Sequence, residues 1–239
     1  MHTHEDSYRM YAPVYDRLNG SREARIWHIQ CLIDQYAPRA HTILELACGT
    51  GSILEGLRPG YELTGLDISP AMLKVARQKL PTVHFVQTSM THFALKHSFD
   101  VIFCTFNSLN HLLTLEDWQA TFESAAKHLR KGGIFLFDVS TYERLAEAST
   151  DAPRTAVYPD NERITTYVSK QAGGQFTWHL KVERAGQPER TERVLLQTFP
   201  PEQIVQMLRP NFTAIAVPSD PHQVTAEDKG RSYYVCKKR

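Results

Sequence analysis

The sequence Thr42-Ile-Leu-Glu-Leu-Ala-Cys-Gly-Thr-Gly51 decides the fold of this chain. Its mostly apolar run from Ile43 to Ala47 is typical of a strand that is buried on both faces of a parallel sheet. Gly49 and Gly51 follow, and glycine lets the backbone turn tightly and approach a ligand without a Cβ in the way. The stretch therefore predicts a buried strand that turns sharply into a helix N-terminus at a ligand-binding edge.

A second predicted strand, residues 61–66, ends at Asp67. In a doubly wound sheet the carboxyl ends of the first two strands lie side by side, so Asp67 can accept hydrogen bonds from a ribose diol. Glu45 would repel a pyrophosphate but suits a cofactor that carries an ammonium or a sulfonium. Leu54 stands where a dinucleotide fingerprint has its third glycine. Both residues disfavour a nicotinamide-dependent oxidoreductase, which stays as an alternative.

The two motifs together resemble those of the class I S-adenosylmethionine-dependent methyltransferases. They are Glu45-Leu-Ala-Cys-Gly-Thr-Gly51 and Gly65-Leu-Asp-Ile-Ser-Pro-Ala-Met-Leu73. The resemblance, which extends over residues 8–140, implies an α/β fold with a Rossmann-like seven-stranded sheet, mostly parallel and ending in a reversed hairpin. It also implies S-adenosylmethionine as the cofactor and S-adenosylhomocysteine as the product.

The resemblance assigns roles to residues along the predicted cofactor site. It implies that Asp67 binds the ribose hydroxyls, that Glu45 lies near the methionyl ammonium, and that Ile68 and Met90 enclose the adenine. The family usually has an acid after strand three, whereas Gln87-Thr-Ser-Met-Thr-His92 has none. We therefore expect Ser89 to accept the hydrogen bond of the adenine amino group. The other residues expected at the cofactor are Tyr11, Ala47, Gly49, Gly51, Met72, Phe106 and Asn107.

The methyl acceptor is expected at the end of strand four, predicted over residues 100–106, because ligands bind there in open α/β sheets. The segment Phe106-Asn-Ser-Leu-Asn-His-Leu112 resembles the same loop of small bacterial methyltransferases that act on amines, amino sugars and other small molecules. The resemblance nominates Asn107, Asn110 and His111, although the two asparagines could instead hold the turn.

Two residues are candidates for a catalytic base. Histidine titrates near neutral pH, which favours His111, and Tyr15 belongs to the N-terminal segment Tyr11-Ala-Pro-Val-Tyr-Asp16, of a type that folds over the cofactor in the family. A purely hydrogen-bonding role for His111 is an alternative. So is a packing role for Tyr8, Tyr11 and Tyr15, whose spacing places their rings on one helical face.

Helical spacing and capping residues predict the helices between these strands. Residues 22–36 carry the apolar period of a helix, and Ser69 is expected to cap a second helix that begins at Pro70. Thr114 is expected to precede a third helix that Gly132-Gly133 ends. Strands three and five are predicted over residues 83–87 and 134–139.

The pattern changes after residue 140. Segments 163–170, 175–184 and 192–199 alternate in polarity and predict an antiparallel meander. We therefore expect a cofactor-binding domain of residues 1–140 and 200–239, with an inserted β-rich cap, residues 141–199, over the acceptor pocket. Alternation does not say which face of the cap looks inward, so the candidate substrate contacts include both: Arg163, Tyr167, Trp178 and His179.

The chain end is predicted to form a helix over residues 202–208 and a hairpin. The hairpin strands are expected at residues 212–217 and 232–237, on either side of an exposed loop at residues 220–230.

Composition limits the function classes. The net charge of +1 gives no general attraction to polyanions, so a nucleic-acid acceptor is disfavoured. No apolar run is long enough to span a bilayer and no leader is recognised, so we expect a cytoplasmic protein without membrane association. Four dispersed cysteines favour reduced thiols over disulfides or a metal site.

The sequence thus predicts an enzyme that transfers a methyl group from S-adenosylmethionine to an N or O nucleophile of a small molecule. A homodimer is left open. The alternatives are a noncatalytic S-adenosylmethionine-binding protein and a methyltransferase that acts on a nucleic acid or a protein.

Overall fold

The computed structural model describes residues 8–57, 59–159, 161–216 and 230–239, and these residues contain two sheets. The larger sheet comprises β1 (Thr42–Leu46), β2 (Glu62–Asp67), β3 (His84–Gln87), β4 (Phe99–Cys104), β5 (Leu129–Ser140), β10 (Phe212–Ala216) and β11 (Arg231–Lys238). Its strand order is β10-β11-β5-β4-β1-β2-β3. Strands β1 to β5 are parallel, whereas β11 runs antiparallel to both of its neighbours. The predicted fold class is confirmed.

The described α-helices are α1 (Tyr15–Asn19), α2 (Glu23–Tyr36), α3 (Ser52–Gly56), α4 (Pro70–Lys79), α5 (Leu115–His128), α6 (Tyr142–Ala148) and α7 (Pro201–Leu208). Helices α2, α3, α4, α5 and α7 cover both faces of the larger sheet, whereas α1 and α6 pack against residues of the smaller sheet. Ile33 and Leu73, from α2 and α4, pack on one face, and Trp118 and Ile204, from α5 and α7, pack on the other. Because successive strand residues point to opposite faces, β4 supplies both cores: Val101 and Phe103 to one, Ile102 and Cys104 to the other.

The smaller sheet is antiparallel and lies in the segment that the sequence predicts as a cap. It contains β6 (Arg154–Val157), β7 (Arg163–Lys170), β8 (Phe176–Glu183) and β9 (Arg190–Leu196) in that order. The sequence predicted β7, β8 and β9 but not β6, which is short and mostly exposed. We call this four-stranded sheet the cap sheet; the domain boundaries around it stay a prediction.

The glycine pair Gly132-Gly133 does not end a helix, so this prediction was wrong. Helix α5 ends at His128, and β5 begins directly at Leu129. Leu129 pairs with Phe99 of β4, and the register then shifts before Ile134 pairs with Val101. A Cβ on Gly133 would lie 2.9 Å from the carbonyl oxygen of Asp100. Glycine is therefore needed because the backbones of β4 and β5 approach closely at this irregularity.

The end of the chain is described only in part. The predicted hairpin strands correspond to β10 and β11, and the predicted helix corresponds to α7. Residues 217–229, which include most of the predicted loop, lie outside the described residues. No helix in the described part of the chain combines the length and apolar character that crossing a membrane requires.

Asp100 joins the starts of β1 and β4. Its Oδ2 accepts hydrogen bonds from the backbone N–H groups of His41 at 2.9 Å and Thr42 at 3.0 Å, and from the Thr42 hydroxyl at 2.9 Å. Its Oδ1 accepts from Arg130 at 2.6 Å. Desolvation alone would raise the pKa of this carboxyl, but these donors outweigh it and lower the pKa to about 2. The fold therefore favours the ionised form.

We predict that Asp100→Asn lowers the free energy of unfolding at pH 7 by about 1–3 kcal/mol, since the ionised acceptor and its Arg130 partner are lost. A pKa depressed in the folded state gives stability that is present above about pH 4 and is lost as the pH falls toward 2. Urea unfolding at pH 7 and pH 3 should show the difference between variant and wild type narrowing in acid. Glu62→Gln, at the exposed start of β2, is the control; a constant difference at both pH values would contradict the carboxylate role.

Candidate active site

The loop after β1 is fixed to the end of β2. Ala47, Gly49 and Gly51 have φ values of 52°, 54° and 72°, and the Cys48 N–H donates to the Leu66 carbonyl at 2.9 Å. Asp67 accepts from the N–H groups of Gly49 and Ser69, each at 2.8 Å. A carboxylate has about four acceptor positions. Asp67 thus orders the loop and retains acceptor capacity for ribose hydroxyls.

Two adjoining cavities follow the carboxyl ends of the strands. Their volumes are about 390 Å³ and about 120 Å³, and they share Ala47, Asp67, Ile68, Met90 and His111 as walls. We call the pair the cofactor groove. The remaining predicted residues that line it are Tyr15, Gly49, Met72, Ser89 and Phe106. Tyr11, Glu45, Gly51 and Asn107 do not line it.

Two side chains of opposite charge near Tyr15 have buried polar atoms without a hydrogen-bond partner within the described residues. Glu45 is 3% exposed, and its Oε2 has no hydrogen-bond partner within the described residues. The buried Nε and Nη2 of Arg22 also have no hydrogen-bond partner within the described residues. The Arg22 guanidinium lies 4.3 Å from the centre of the Phe106 ring. The charges of both residues act on the hydroxyl of Tyr15, which lines the groove. This pair fits the ammonium and carboxylate of a methionyl group.

The sequence analysis did not predict Arg22 as a site residue, because an arginine at the start of a helix is usually exposed to solvent. Glu45 was expected near the methionyl ammonium, and its environment agrees with a cationic ligand. Desolvation, followed by the charge of Asp67, raises the pKa of Glu45 well above its usual value, while Arg22 opposes the rise. A cation at Oε2 would favour the ionised carboxylate.

The other end of the groove carries the predicted adenine contacts Ile68, Ser89 and Met90. The hydroxyl of Ser89 is already engaged with Thr91, at 2.8 Å from its hydroxyl and 3.2 Å from its N–H. Asp117 also lines this end, although the sequence suggested only a capping role for it. The structure therefore places an acid near the expected adenine after α5 begins, and not after β3.

His111 meets Tyr8 at the shared wall of the groove, with 3.0 Å between the Tyr8 hydroxyl and the His111 Nε2. Burial, and then the nearby Tyr15 and Tyr11, raise the pKa of Tyr8 well above its usual value. The phenol is therefore neutral near pH 7 and can donate to Nε2. Tyr15 instead packs edge-on against Tyr11, with ring centres 4.8 Å apart, so the structure pairs His111 with a tyrosine other than the predicted one.

The two asparagines of the loop after β4 have different surroundings. Asn110 is fully buried, and its amide bonds the Ser140 N–H at 2.9 Å and the carbonyls of Ser140 and Gln197 at 3.2 and 2.9 Å. Its amide therefore joins β5 to the segment after β9, which agrees with the alternative of a structural role for this asparagine. Asn107 has a φ of 59°, and its N–H donates to Asp138 at 2.8 Å.

The cap sheet separates the four predicted substrate contacts onto two faces. Trp178 faces the N-terminal tyrosines, with its ring centre 5.0 Å from that of Tyr11 and 6.1 Å from that of Tyr8. Tyr167 and His179 pair across β7 and β8 and stack 4.3 Å apart on the opposite face. Arg163 is exposed on that face too. Neither Arg163 nor His179 lines the groove or the cavity described next.

A third cavity, of about 310 Å³, lies between α6, the carboxyl ends of β4 and β5, and the cap sheet. Its lining includes Asn107, Ser140, Tyr167 and Trp178. We call it the cap cavity. It adjoins the cofactor groove at the loop after β4, where Phe106 and Ser108 line the groove while Asn107 lines the cap cavity.

Comparisons with known proteins agree with this architecture. A family profile described as "Methyltransferase domain" matches residues 43–133. YqeM of Bacillus subtilis (strain 168), whose description as a methyltransferase is provisional, is 30% identical over 218 residues, covering 84% of each chain.

Two further relatives carry more specific names. A dTDP-3-amino-3,4,6-trideoxy-alpha-D-glucopyranose N,N-dimethyltransferase of Streptomyces venezuelae is 33% identical over 133 residues, which cover 54% of this chain and 56% of that protein. The solved structure of CalS10, an amino pentose methyltransferase from Micromonospora echinaspora, superposes with a TM-score of 0.79 at 23% identity over 100% of both chains. At that identity, the superposition shows the fold.

We predict that Arg22→Gln weakens binding of S-adenosylhomocysteine by about tenfold or more, since hydrogen bonds to charged groups contribute roughly 1.5–3 kcal/mol. 5′-Methylthioadenosine, which lacks the amino-acid end, should bind variant and wild type equally. Calorimetric titration measures both. Equal losses for the two ligands would instead mean that Arg22 supports the shape of the groove.

We also predict that S-adenosylhomocysteine binds more tightly as the pH rises from 5 to 8. The raised pKa of Glu45 leaves a protonated fraction at low pH, and this fraction must lose its proton to meet the ammonium. Affinity is thus lost as the pH falls through that pKa. Glu45→Gln should bind more weakly and show a flat profile, and 5′-methylthioadenosine should show little pH dependence with either protein. A slope retained by the variant would exclude Glu45 as its source.

Proposed function

The chain belongs to the class I S-adenosylmethionine-dependent methyltransferases, and on that premise we propose that it methylates an amine nitrogen of a small, sugar-like molecule. The observation that carries this proposal is the cap cavity, which adjoins the cofactor groove and is roofed by a second sheet. Its volume of about 310 Å³ suits a small ligand. Relatives named as amino-sugar N,N-dimethyltransferases support nitrogen as the methylated atom.

The position of the cap sheet over the cap cavity also disfavours the other classes of methyl acceptor. A nucleic acid or a folded protein needs an open surface, and a nucleic acid favours a basic one. Here the loop after β4 and the cap sheet form two walls of the space beside the groove, and the net charge is only +1. A noncatalytic binding protein would have no need of a second cavity beside the cofactor. These features favour an enzyme with a small acceptor.

Alignment of the two reactants is the main task of the protein in this reaction. When bound, S-adenosylmethionine supplies an electrophilic methyl group on a sulfonium. Trp178 and Tyr8 lie where the cap sheet meets the groove and would hold the acceptor nitrogen in line with that group. Such orientation can lower a barrier by about 7–11 kcal/mol, and no covalent nucleophile is needed.

Proton removal is assigned to the Tyr8–His111 pair. An amine attacks only as the neutral base, so an incoming ammonium must lose a proton first. Tyr8 can accept this proton on its hydroxyl oxygen while its own proton passes to the His111 Nε2, 3.0 Å away. His111 then carries the positive charge.

We further expect the protein to work in the cytoplasm, consistent with the free thiols of Cys31, Cys48, Cys104 and Cys236. The homodimer stays a prediction. The proposed function is tested by incubating the purified protein with methyl-labelled S-adenosylmethionine and a panel of amino sugars, simple amines and their hydroxyl analogues. Transfer only to hydroxyl acceptors, or no transfer with intact cofactor binding, would overturn the proposal.

We predict that Tyr8→Phe and His111→Ala each lower kcat/KM for an amine acceptor at pH 7 by about 100-fold, within the range known for general bases. The loss should shrink as the pH rises, because the free amine then arrives already neutral. A pH profile of kcat/KM against wild type measures this effect. Full turnover by His111→Ala at every pH would remove its base role, and a loss that is constant with pH would make the pair structural.

A further inference from the structure

Arg22 stands at a position that is unfavourable for a cation. It immediately precedes α2, where the helix dipole disfavours positive charge. Arg25, one turn further along the same helix, is only 4% exposed and brings a second positive charge close to the first. The Nε and Nη2 of Arg22 are buried without a hydrogen-bond partner among the described residues, which costs further free energy. Folding stability alone therefore does not account for an arginine at this position.

Two aromatic rings hold the Arg22 guanidinium. Its Cζ lies over the Phe106 ring, 4.3 Å from the ring centre, and over the Tyr15 ring, 5.0 Å from the centre. Both distances lie in the range in which a ring face attracts an arginine, and the weakly hydrated guanidinium is well suited to such contacts. Contact with a ring face uses none of the N–H donors of the guanidinium. The rings therefore restrict Arg22 and leave its donors for an anionic ligand.

The two rings come from different segments of the chain. Both line the smaller of the two cavities of the cofactor groove. Tyr15 is the first residue of α1, whereas Phe106 follows β4 and has a φ of 61°. The surroundings of Arg22 are therefore complete only when α1 lies against the loop after β4.

Phe106 is itself held by the network around Asp138. The Arg25 guanidinium lies 4.1 Å from the centre of the Phe106 ring and bonds the Asp138 carboxylate at 3.1 Å. The N–H of Asn107, the next residue, donates to the same carboxylate at 2.8 Å. Arg25 thus has a carboxylate partner in the protein, whereas the buried Nε and Nη2 of Arg22 have none in the described structure.

We propose that Tyr15 and Phe106 are positioning residues, whose rings hold the Arg22 guanidinium in place for the carboxylate of the methionyl group of the cofactor. Tyr15 acts here through its ring and not through its hydroxyl, which is a different role from that of a catalytic base. Burial raises the pKa of this hydroxyl, so it is neutral near pH 7. The inference concerns the cofactor and holds for any methyl acceptor.

The ratio of two affinities tests the role of the rings. S-Adenosylhomocysteine and 5′-methylthioadenosine, which lacks the amino-acid end, are titrated by calorimetry, so that a general change in the groove cancels in the ratio. We expect Tyr15→Leu and Phe106→Leu each to lower the preference for S-adenosylhomocysteine by about three- to tenfold. Tyr15→Phe, which keeps the ring, should retain the preference. Trp27→Leu is the control, because Trp27 is an aromatic residue of α2 that is 57% exposed.

A double-variant cycle then tests whether the rings act through Arg22. We expect Tyr15→Leu to lower the preference in the wild-type background and to leave it unchanged in the Arg22→Gln background, where the positioned group is absent. A loss of equal size in both backgrounds would mean that Tyr15 acts on the ligand independently of Arg22, and would overturn the proposal.

Two further results would overturn the proposal. A loss in Tyr15→Phe as large as that in Tyr15→Leu would assign the effect to the hydroxyl. An unchanged preference in both leucine variants would show that Arg22 needs neither ring. Thermal unfolding checks the fold of each variant. If Phe106→Leu does not fold, the Tyr15 variants and the cycle still give the result.

Discussion

The acceptor side of the molecule depends on the ion pairs and the hydrogen bond of one buried carboxylate, that of Asp138. It lies at the carboxyl end of β5 with no exposure to solvent, and burying such a charge without partners would cost several kcal/mol. Its partners are Arg25 of α2, Arg231 of β11 and the N–H of Asn107 after β4. One buried charge thereby fixes β5 relative to a helix, one further strand and the loop that divides the groove from the cap cavity.

Backbone strain is concentrated at the same edge of the sheet. Ala47, Phe106 and Asn107 adopt positive φ without being glycine, and such conformations cost roughly 1–3 kcal/mol each. The strain is held by neighbours that are hydrogen-bonded in the native state, as the Asn107 N–H is to Asp138. Because Phe106 and Asn107 are consecutive, this strained turn sends one side chain into the groove and the next into the cap cavity.

How much the sequence could predict depended on how local the physical signal was. The strands around residues 42–51 and Asp67 were predictable, because a buried parallel strand needs continuous apolar residues and its turn needs glycine. Gly132-Gly133 was misread, since the constraint on Gly133 is the distant Asp100 carbonyl in β4. The orientation of the cap sheet was also hidden: alternation gives two faces but not the one that packs on Tyr8 and Tyr11. Arg22 could be recognised as a candidate site residue only from its position beside Phe106 in the folded structure.

The short helix α1 joins the two ligand regions. Its Asp16 accepts from the Thr50 hydroxyl of the cofactor loop at 2.6 Å, and its Arg17 pairs with the buried Glu162, which also binds Arg184 at the end of the cap sheet. A ligand that binds in one cavity and orders α1 therefore lowers the entropic cost of ordering α1 for the ligand that binds in the other cavity. By thermodynamic linkage the benefit is mutual, so cofactor and acceptor should each tighten the binding of the other by the same factor.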